Sequence, residues 1–113
     1  MLKRVTMIFE LLTEASDKRD IEAILDLYHP DYTFVRHQHN VSLSLEEWRP
    51  LMEQMFKSDK LEVHESRCLY ENEEILVMHN VMSFPDGSKE AVLIAHTLKE
   101  GKIFRTETGA TPM

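Results

Sequence analysis

The sequence predicts an α+β domain whose N-terminal helices pack on one face of a strongly curved, mostly antiparallel β-sheet. Apolar residues recur at helical spacing in the N-terminal half, whereas residues 75–108 contain three β-rich runs that are separated by two turns. Helices that precede a long antiparallel meander cover one face of the resulting sheet. A chain of 113 residues can bury one hydrophobic core but not two, so we expect a single domain over residues 1–113.

Two helices are predicted before the first strand. Residues 2–16 carry apolar side chains at the spacing of an amphipathic helix. Asp17 can cap a second helix, whose first turn would also gain from the negative charge of Asp20. We expect this second helix to end at Pro30, because the residue before a proline avoids the helical conformation.

A third helix is predicted from a capping box. Ser44 and Glu47 have the spacing at which each side chain bonds the backbone N–H of the other residue. Pro50 conflicts with this start, because it falls beyond the first turn and removes a helical hydrogen bond. Either the helix kinks at Pro50, or a short turn precedes a helix that begins near it.

Five strands are predicted from runs of β-branched, aromatic and alternating apolar residues, and they cover residues 32–40, 61–70, 75–84, 89–98 and 103–108. The run over residues 75–84 is apolar on both faces. A strand of this kind is buried on both sides, which suggests helices on one face and another subunit on the other. We therefore expect a homodimer that forms through the outer face of the sheet.

Composition excludes several classes of partner. The chain has 13 basic and 20 acidic side chains, for a net charge of −7, whereas nucleic-acid binding needs a basic patch. No apolar run approaches the roughly 20 residues of a membrane span, and no signal peptide is evident. The single cysteine, Cys68, cannot form an internal disulfide, which favours a cytoplasmic protein.

Residues 20–34 and 98–103 resemble two characteristic segments of SnoaL-like proteins, which belong to the nuclear-transport-factor-2-like superfamily. The order of predicted elements is similar over nearly the whole chain. The resemblance implies a cone formed by a mixed sheet (the cystatin-like, ketosteroid-isomerase-like fold), with a pocket between helices and sheet, and commonly a dimer. It implies less about function, because this superfamily includes isomerases, dehydratases, cyclases, hydrolases and non-catalytic binding proteins.

Arg36 is the first candidate site residue. The resemblance places it near the position where a ketosteroid isomerase carries its catalytic aspartate. Arginine stays protonated and cannot act as that base, so the isomerase pattern is broken here. Arg36 could instead bind a carboxylate, phosphate or enolate oxygen, or it could form an ion pair with a surface acid such as Asp31.

His96 is the second candidate. It shares a strand face with Val92, Ile94 and Leu98, which the resemblance makes the cavity face. A histidine in this setting can bind a ligand or transfer a proton, although it can also be a core residue that a neighbour satisfies. In an isomerase- or dehydratase-like enzyme, His96 would be the acid or base and Arg36 would stabilise the oxyanion.

The remaining predicted ligand contacts are side chains expected to line the cone, namely Tyr32, Phe34, Trp48, Met52, His79 and Glu107. Two of them have an open alternative. His79 fits a dimer interface equally well, and Glu107 could form a plain salt bridge with Arg105.

A metal site is not expected. His37 and His39 share a strand face, but that face is opposite Arg36, and no third ligand can be placed beside them. We predict neither a metal nor a cofactor.

Two functions of different classes remain open. The first is the binding of a small, largely apolar molecule with an anionic or carbonyl oxygen, in an enzyme or a binding protein. The second is a non-catalytic dimerisation module whose cone is filled by its own side chains, especially Trp48, Met52, Met55 and Phe56. The volume of the cone's interior distinguishes the two.

Overall fold

Over residues 7–113, the fold consists of three α-helices and a six-stranded sheet. A computed structural model describes residues 7–113. The helices are α1 (Ile8–Asp17), α2 (Ile21–Leu25) and α3 (Leu45–Lys57). The strands are β1 (Tyr28–Arg36), β2 (Val41–Ser44), β3 (Glu62–Glu71), β4 (Ile75–Ser83), β5 (Lys89–Lys99) and β6 (Lys102–Pro112).

The sheet is mixed and open, with the strand order β2-β1-β6-β5-β4-β3. Neighbouring strands are antiparallel except for β1 and β6, which run parallel and pair Phe34 with Thr106. Strands β3 to β6 form the antiparallel meander that the sequence predicts. The predicted α+β fold class is confirmed.

The hydrophobic core lies between the helices and one face of the sheet, here called the helix face. Its side chains on β4 are Leu76, Met78 and Asn80, all buried. They pack with buried residues of the helices and of the other strands, namely Ile8, Leu12, Ala15, Ile24, Tyr32, Met52 and Ile103. The opposite face, here called the outer face, carries the alternate residues of β4, which include Val77, His79 and Val81.

The second helix differs from its prediction at both ends. Its N-cap is Asp20, whose side chain accepts a hydrogen bond from the Ala23 N–H, so the predicted cap Asp17 is wrong. The helix ends at Leu25, and Tyr28 already begins β1. Pro30 therefore lies inside a strand, where its fixed φ is tolerated, and it does not end a helix.

The first strand is also shifted towards the N-terminus. It ends at Arg36, and residues 38–40 form a short 3-10 helix in which His39 has φ 68°. This turn reverses the chain into β2, which the sequence analysis did not identify. His37 and His39 therefore do not share a strand face as predicted.

The third helix begins where the capping box places it. The Ser44 side chain accepts from the Glu47 N–H, and the Glu47 carboxylate accepts from the Ser44 N–H. One helix continues through Pro50, so the alternative start near that residue is wrong. An apolar stripe that includes the buried Met52 holds the helix on the sheet in spite of the lost hydrogen bond.

The other elements agree with prediction to within a few residues, except that β6 continues to Pro112. Residues 2–6 of the predicted first helix lie outside the described residues. Within residues 7–113, no helix is long and apolar enough to cross a membrane.

Candidate functional site

Five side chains with polar atoms lie together between the helices and the helix face, and we call them the polar cluster: Tyr28, Tyr32, Trp48, His96 and Thr106. The sheet register accounts for part of this grouping, because Thr106 is the direct partner of Phe34 on one side and of His96 on the other. Aliphatic core residues surround the cluster, so its polar atoms are shielded from water.

His96 forms a hydrogen bond with Thr106 inside the cluster. Its Nδ1 lies 2.8 Å from the Thr106 Oγ1, and both residues are buried. Burial lowers the pKa of His96 from 6.5 to about 4, because the charged imidazolium would lose its hydration. His96 is therefore neutral at pH 7 and is a weak base.

Tyr32 and Tyr28 contribute hydroxyl groups next to this pair. Their ring centroids are 4.4 Å apart at an interplanar angle of 50°. Burial raises the pKa of both phenols, so both hydroxyls stay protonated and can donate. The Tyr32 hydroxyl has Tyr28 and Thr106 as polar neighbours, but neither contact has the geometry of a full hydrogen bond, and among the described residues it has no other partner.

Trp48 supplies a second buried donor. Its ring stacks on Phe34 with centroids 4.2 Å apart and planes 9° from parallel, which fixes the indole between α3 and β1. The Trp48 Nε1 is buried, lies near the Tyr28 hydroxyl and has no hydrogen-bond partner in the described part of the chain. Since buried donors are nearly always paired, two such donors in one cluster indicate a place where an acceptor belongs.

Arg36 lies on the helix face but apart from the polar cluster. Its guanidinium donates to the Gln38 Oε1 at 3.1 Å and lies 3.7 Å from a carboxylate oxygen of Glu90. The Glu90 side chain is mostly buried, so Arg36 already has an anionic partner. In the register, Arg36 pairs with Thr108 and His96 pairs with Thr106, and the structure does not bring the two predicted catalytic residues into contact.

The structure places His79 and Glu107 on the outer face, away from the helices. His79 alternates with the core residues Met78 and Asn80. Glu107 lies 3.1 Å from the His37 Nε2 and 3.5 Å from the Arg105 Nε. These contacts lower the pKa of Glu107, chiefly through the His37 hydrogen bond. On this face, His79 and Glu107 cannot contact a ligand inside the cone, although the sequence analysis predicted such contacts.

Side chains fill most of the space between α3 and the sheet. Met52 is 2% exposed and packs over the core, and the stacked Phe34–Trp48 pair lies beside it. Two surface depressions along α1, with volumes of about 440 and 230 Å³, lie outside the cone. The larger is an open groove along α1 that includes Phe9 and Thr13, and the smaller lies between α1 and α2.

Sequence reasoning missed two members of the polar cluster. It assigned Tyr28 to a helix and gave Thr106 no role. Tyr28 could have been found only from the correct start of β1, and Thr106 only from the pairing of β5 with β6. No group of three potential metal ligands comes together within the described residues.

Comparison with known families gives one match. A profile described as the SnoaL-like domain matches residues 9–106, which is most of the chain. No curated protein matches the sequence.

Solved structures share the fold at low sequence identity. An NTF2-like protein of unknown function from Cytophaga hutchinsonii has a TM-score of 0.74 at 12% identity, with 96% of this chain and 95% of that chain covered. A SnoaL-like protein of unknown function from Burkholderia thailandensis has a TM-score of 0.71 at 12% identity, with 96% and 99% covered. IdmH, a candidate polyketide cyclase from Streptomyces antibioticus, has a TM-score of 0.68 at 14% identity, with 89% and 87% covered.

Proposed function

The chain belongs to the SnoaL-like domain family, and from that premise we propose that it binds a small, largely apolar molecule through a carbonyl or hydroxyl oxygen. The observation that supports this most directly is the pair of unpartnered buried donors, the Tyr32 hydroxyl and the Trp48 Nε1. A ligand oxygen that accepts from these donors would remove the cost of leaving them unpaired. The aliphatic and aromatic surroundings favour an apolar ligand body.

Binding is proposed in preference to catalysis, because His96 is a poor base. With a pKa of about 4, it has little tendency to remove a proton at pH 7. If proton transfer does take place, the donors that would stabilise an oxyanion are Tyr32 and Trp48. Arg36 is less suited to this role, since its charge is directed to Glu90.

Access to the polar cluster requires movement of the side chains that fill the cone. The stacked Phe34–Trp48 pair is partly exposed, so it separates the cluster from solvent on the side of α3. A ligand could replace Phe34 as the stacking partner of Trp48. A flat aromatic ketone therefore fits the proposed site better than a branched aliphatic molecule.

A thermal-shift experiment tests this function. The ligands are 1-tetralone and acetophenone as neutral ketones, with benzoate and inorganic phosphate as anions, each tested on wild type, Tyr32→Phe and Arg36→Ala. Because a ligand that binds the folded state raises its melting temperature, we expect ketones to stabilise wild type and Arg36→Ala. Tyr32→Phe removes one donor at almost constant volume, and the shift should shrink in this variant. An increase with benzoate that disappears only in Arg36→Ala would show that Arg36 binds anions instead.

A separate observation supports a second candidate function. Met52 is buried in the cone and Phe34, Trp48 and Phe56 pack against the same core, which favours a non-catalytic homodimerisation module. In this alternative the outer face carries the function, and the polar cluster is a structural feature. A flat response to all four ligands, together with a stable dimer in analytical ultracentrifugation, would support this alternative.

A further inference from the structure

A second group of side chains, remote from the polar cluster, has the connectivity of a serine–histidine–carboxylate triad. The Ser83 Oγ lies 2.7 Å from the His64 Nε2, and the His64 Nδ1 lies 3.0 Å from the Glu62 Oε2. The Nε2 is therefore hydrogen-bonded to a hydroxyl, and a carboxylate lies beside the Nδ1 at ion-pair distance. This is the order of contacts by which a histidine activates a serine and a carboxylate orients the histidine.

A β-bulge in β3 produces this arrangement. Val63 pairs with Met82 and Glu65 pairs with Val81, so two steps along β3 match one step along β4. His64 is the extra residue, without a partner in the ladder. Bulges redirect individual side chains and are frequent next to active sites. Here the bulge lets His64 reach Ser83, although the direct cross-strand partner of Ser83 is Glu62.

The group is open to solvent at the edge of the sheet. β3 is the outermost strand, and the side chains of His64 and Glu62 are 34% and 67% exposed. Ser83 lies four residues along β4 from His79, at the end of the outer face, a separation of about 13 Å at the usual strand rise. A substrate in solution can reach the Ser83 hydroxyl without passing through the cone.

We propose that Ser83, His64 and Glu62 form a nucleophilic site that transfers the acyl group of activated carboxylic esters, such as aryl esters, to water. Ser83 and His64 are the catalytic residues, and Glu62 is a positioning residue. This site is independent of the ligand-binding function proposed for the cone, so either can fail without the other.

The chemistry proceeds in two balanced steps. The Ser83 Oγ forms a bond to the acyl carbon while its proton passes to the His64 Nε2, and the ester C–O bond breaks as the leaving alcohol takes that proton. Water then attacks the acyl-serine and gives a proton to Nε2, and the serine oxygen leaves and recovers it. The products are a carboxylic acid and an alcohol, and no oxidant or reductant is needed.

The substrate class follows from the exposure of the site. No buried pair of donors faces Ser83 among the described contacts, so stabilisation of a tetrahedral oxyanion is weak compared with that in a dedicated hydrolase. Esters with a good leaving group depend least on that stabilisation. Amides, whose leaving group is poor, are not expected to react.

The test is covalent labelling by a fluorophosphonate probe, read by peptide mass spectrometry, in parallel with hydrolysis of p-nitrophenyl acetate. The full chain is used. Label is expected on Ser83, with loss of both label and esterase activity in Ser83→Ala. His64→Gln should lower both rates by about 100-fold or more, the low end for general-base catalysis. Ser42→Ala and His39→Gln change an exposed serine and an exposed histidine elsewhere and should leave both rates unchanged.

Glu62 is tested by comparison of two variants. Glu62→Gln removes the charge that holds the imidazole and should lower the labelling rate by about tenfold or more, whereas Glu62→Asp should restore much of that rate. A purely structural carboxylate would give no such rescue at equal melting temperatures. Absence of label on Ser83 in the folded wild type, or equal labelling in His64→Gln, would overturn the proposal.

Discussion

At the scale of single residues, the polar cluster contains groups with opposite effects on stability. The Thr106 hydroxyl bonds the buried His96 Nδ1, whereas the buried Tyr32 hydroxyl has no hydrogen-bond partner within residues 7–113. A satisfied buried hydrogen bond stabilises the fold, but an unsatisfied donor carries the full cost of its lost hydration. A residue that lowers stability in the free protein is a better candidate for ligand binding than one that raises it.

Substitutions at these two positions should therefore have opposite results. Tyr32→Phe removes an unpaired hydroxyl, and we expect the free energy of unfolding to rise by about 1 kcal/mol. Thr106→Val leaves the His96 Nδ1 unpaired and should lower it by about 1–3 kcal/mol. Urea denaturation of the two variants beside wild type measures both changes. A loss in Tyr32→Phe as large as that in Thr106→Val would mean that the Tyr32 hydroxyl is paired.

His96 should make folding stability depend on pH. The unfolded histidine binds a proton near pH 6.5, but the folded one does so only near pH 4. This pKa difference leaves the free energy of unfolding unchanged above pH 6.5. It lowers that free energy progressively as the pH falls from 6.5 towards 4. At about 1.4 kcal/mol per pH unit, the free energy of unfolding should fall by roughly 2 kcal/mol between pH 7 and pH 5. Urea denaturation at these two pH values measures it.

The control for this pH dependence is His96→Gln, which keeps a polar group that can reach Thr106 but does not titrate. Its stability should change less between pH 7 and pH 5 than that of wild type. Equal changes in the two proteins would contradict the assignment of the pH dependence to His96. The carboxylates whose pKa is lowered, such as those of Glu107 and Asp86, are expected to change the free energy of unfolding mainly below this pH range.

At the scale of elements, Arg19 connects the first two helices to the segment between α3 and β3. Its guanidinium donates to the backbone carbonyl groups of Phe56, Ser58 and Leu61. Arg19 itself has φ 53°, a conformation that few side chains adopt at no cost. One side chain thus satisfies three carbonyls at the end of a helix and in the loop that follows it.

Loss of these bonds should loosen that loop. We expect Arg19→Met, which keeps most of the aliphatic stem, to lower the free energy of unfolding by about 1–3 kcal/mol. Amide hydrogen exchange should quicken in residues 56–61 more than in β5 or β6. Arg49→Met is the matched control, because Arg49 forms ion pairs with Glu22 and Glu53 near the protein surface, and its loss should cost less than 1 kcal/mol. Equal effects would argue against the role of Arg19.

Elements that depend on local interactions are the ones that the sequence predicts well. The capping box of α3 is correct because all of its interactions are local, between Ser44 and Glu47. β2 and the bulge at His64 are not evident in the sequence, since each is defined by the register of its pairing with a neighbouring strand and not by a local residue pattern. The N-cap of α2 was misassigned because Asp17 and Asp20 are both acceptable caps, and only packing decides between them.

At the scale of the whole molecule, the sheet has one face that the helices cover and one that they leave open. Leu93 on the outer face is 50% exposed, although it lies on β5, near the middle of the sheet. Val77, Val81 and Ala95 lie on the same face and are partly exposed. The homodimer through this face remains a prediction, and an apolar centre of this kind is what it requires.

Leu93→Lys should disrupt that dimer. A lysine at the centre of an apolar interface would lose its hydration without gaining a partner. Analytical ultracentrifugation should show a dimer for wild type and a monomer for Leu93→Lys. Leu51→Lys is the control, because Leu51 is 44% exposed on α3 and should not change the assembly. A monomeric wild type would contradict the prediction outright.

The candidate site could be predicted only in part at this scale. His96, Tyr32, Phe34 and Trp48 were identified, because strand alternation and helical spacing place them on the inner side. The position of Arg36 relative to His96 could not be read from the sequence, since it depends on two intervening strand registers. The partner of Arg36, Glu90, is likewise brought near by the sheet and lies far from it along the chain.

The parallel pairing of β1 with β6 has a consequence for synthesis of the protein. The ribosome produces β1 and β2 before the other strands, but β6, which joins them to the rest of the sheet, is synthesised after β3, β4 and β5. Until β6 is present, β1 exposes one unpaired edge, and β5 exposes the edge that β6 will occupy. Contacts of such large sequence separation slow folding and leave strand edges open to other chains. A nascent chain therefore depends most on chaperones in the interval before β6 has been synthesised.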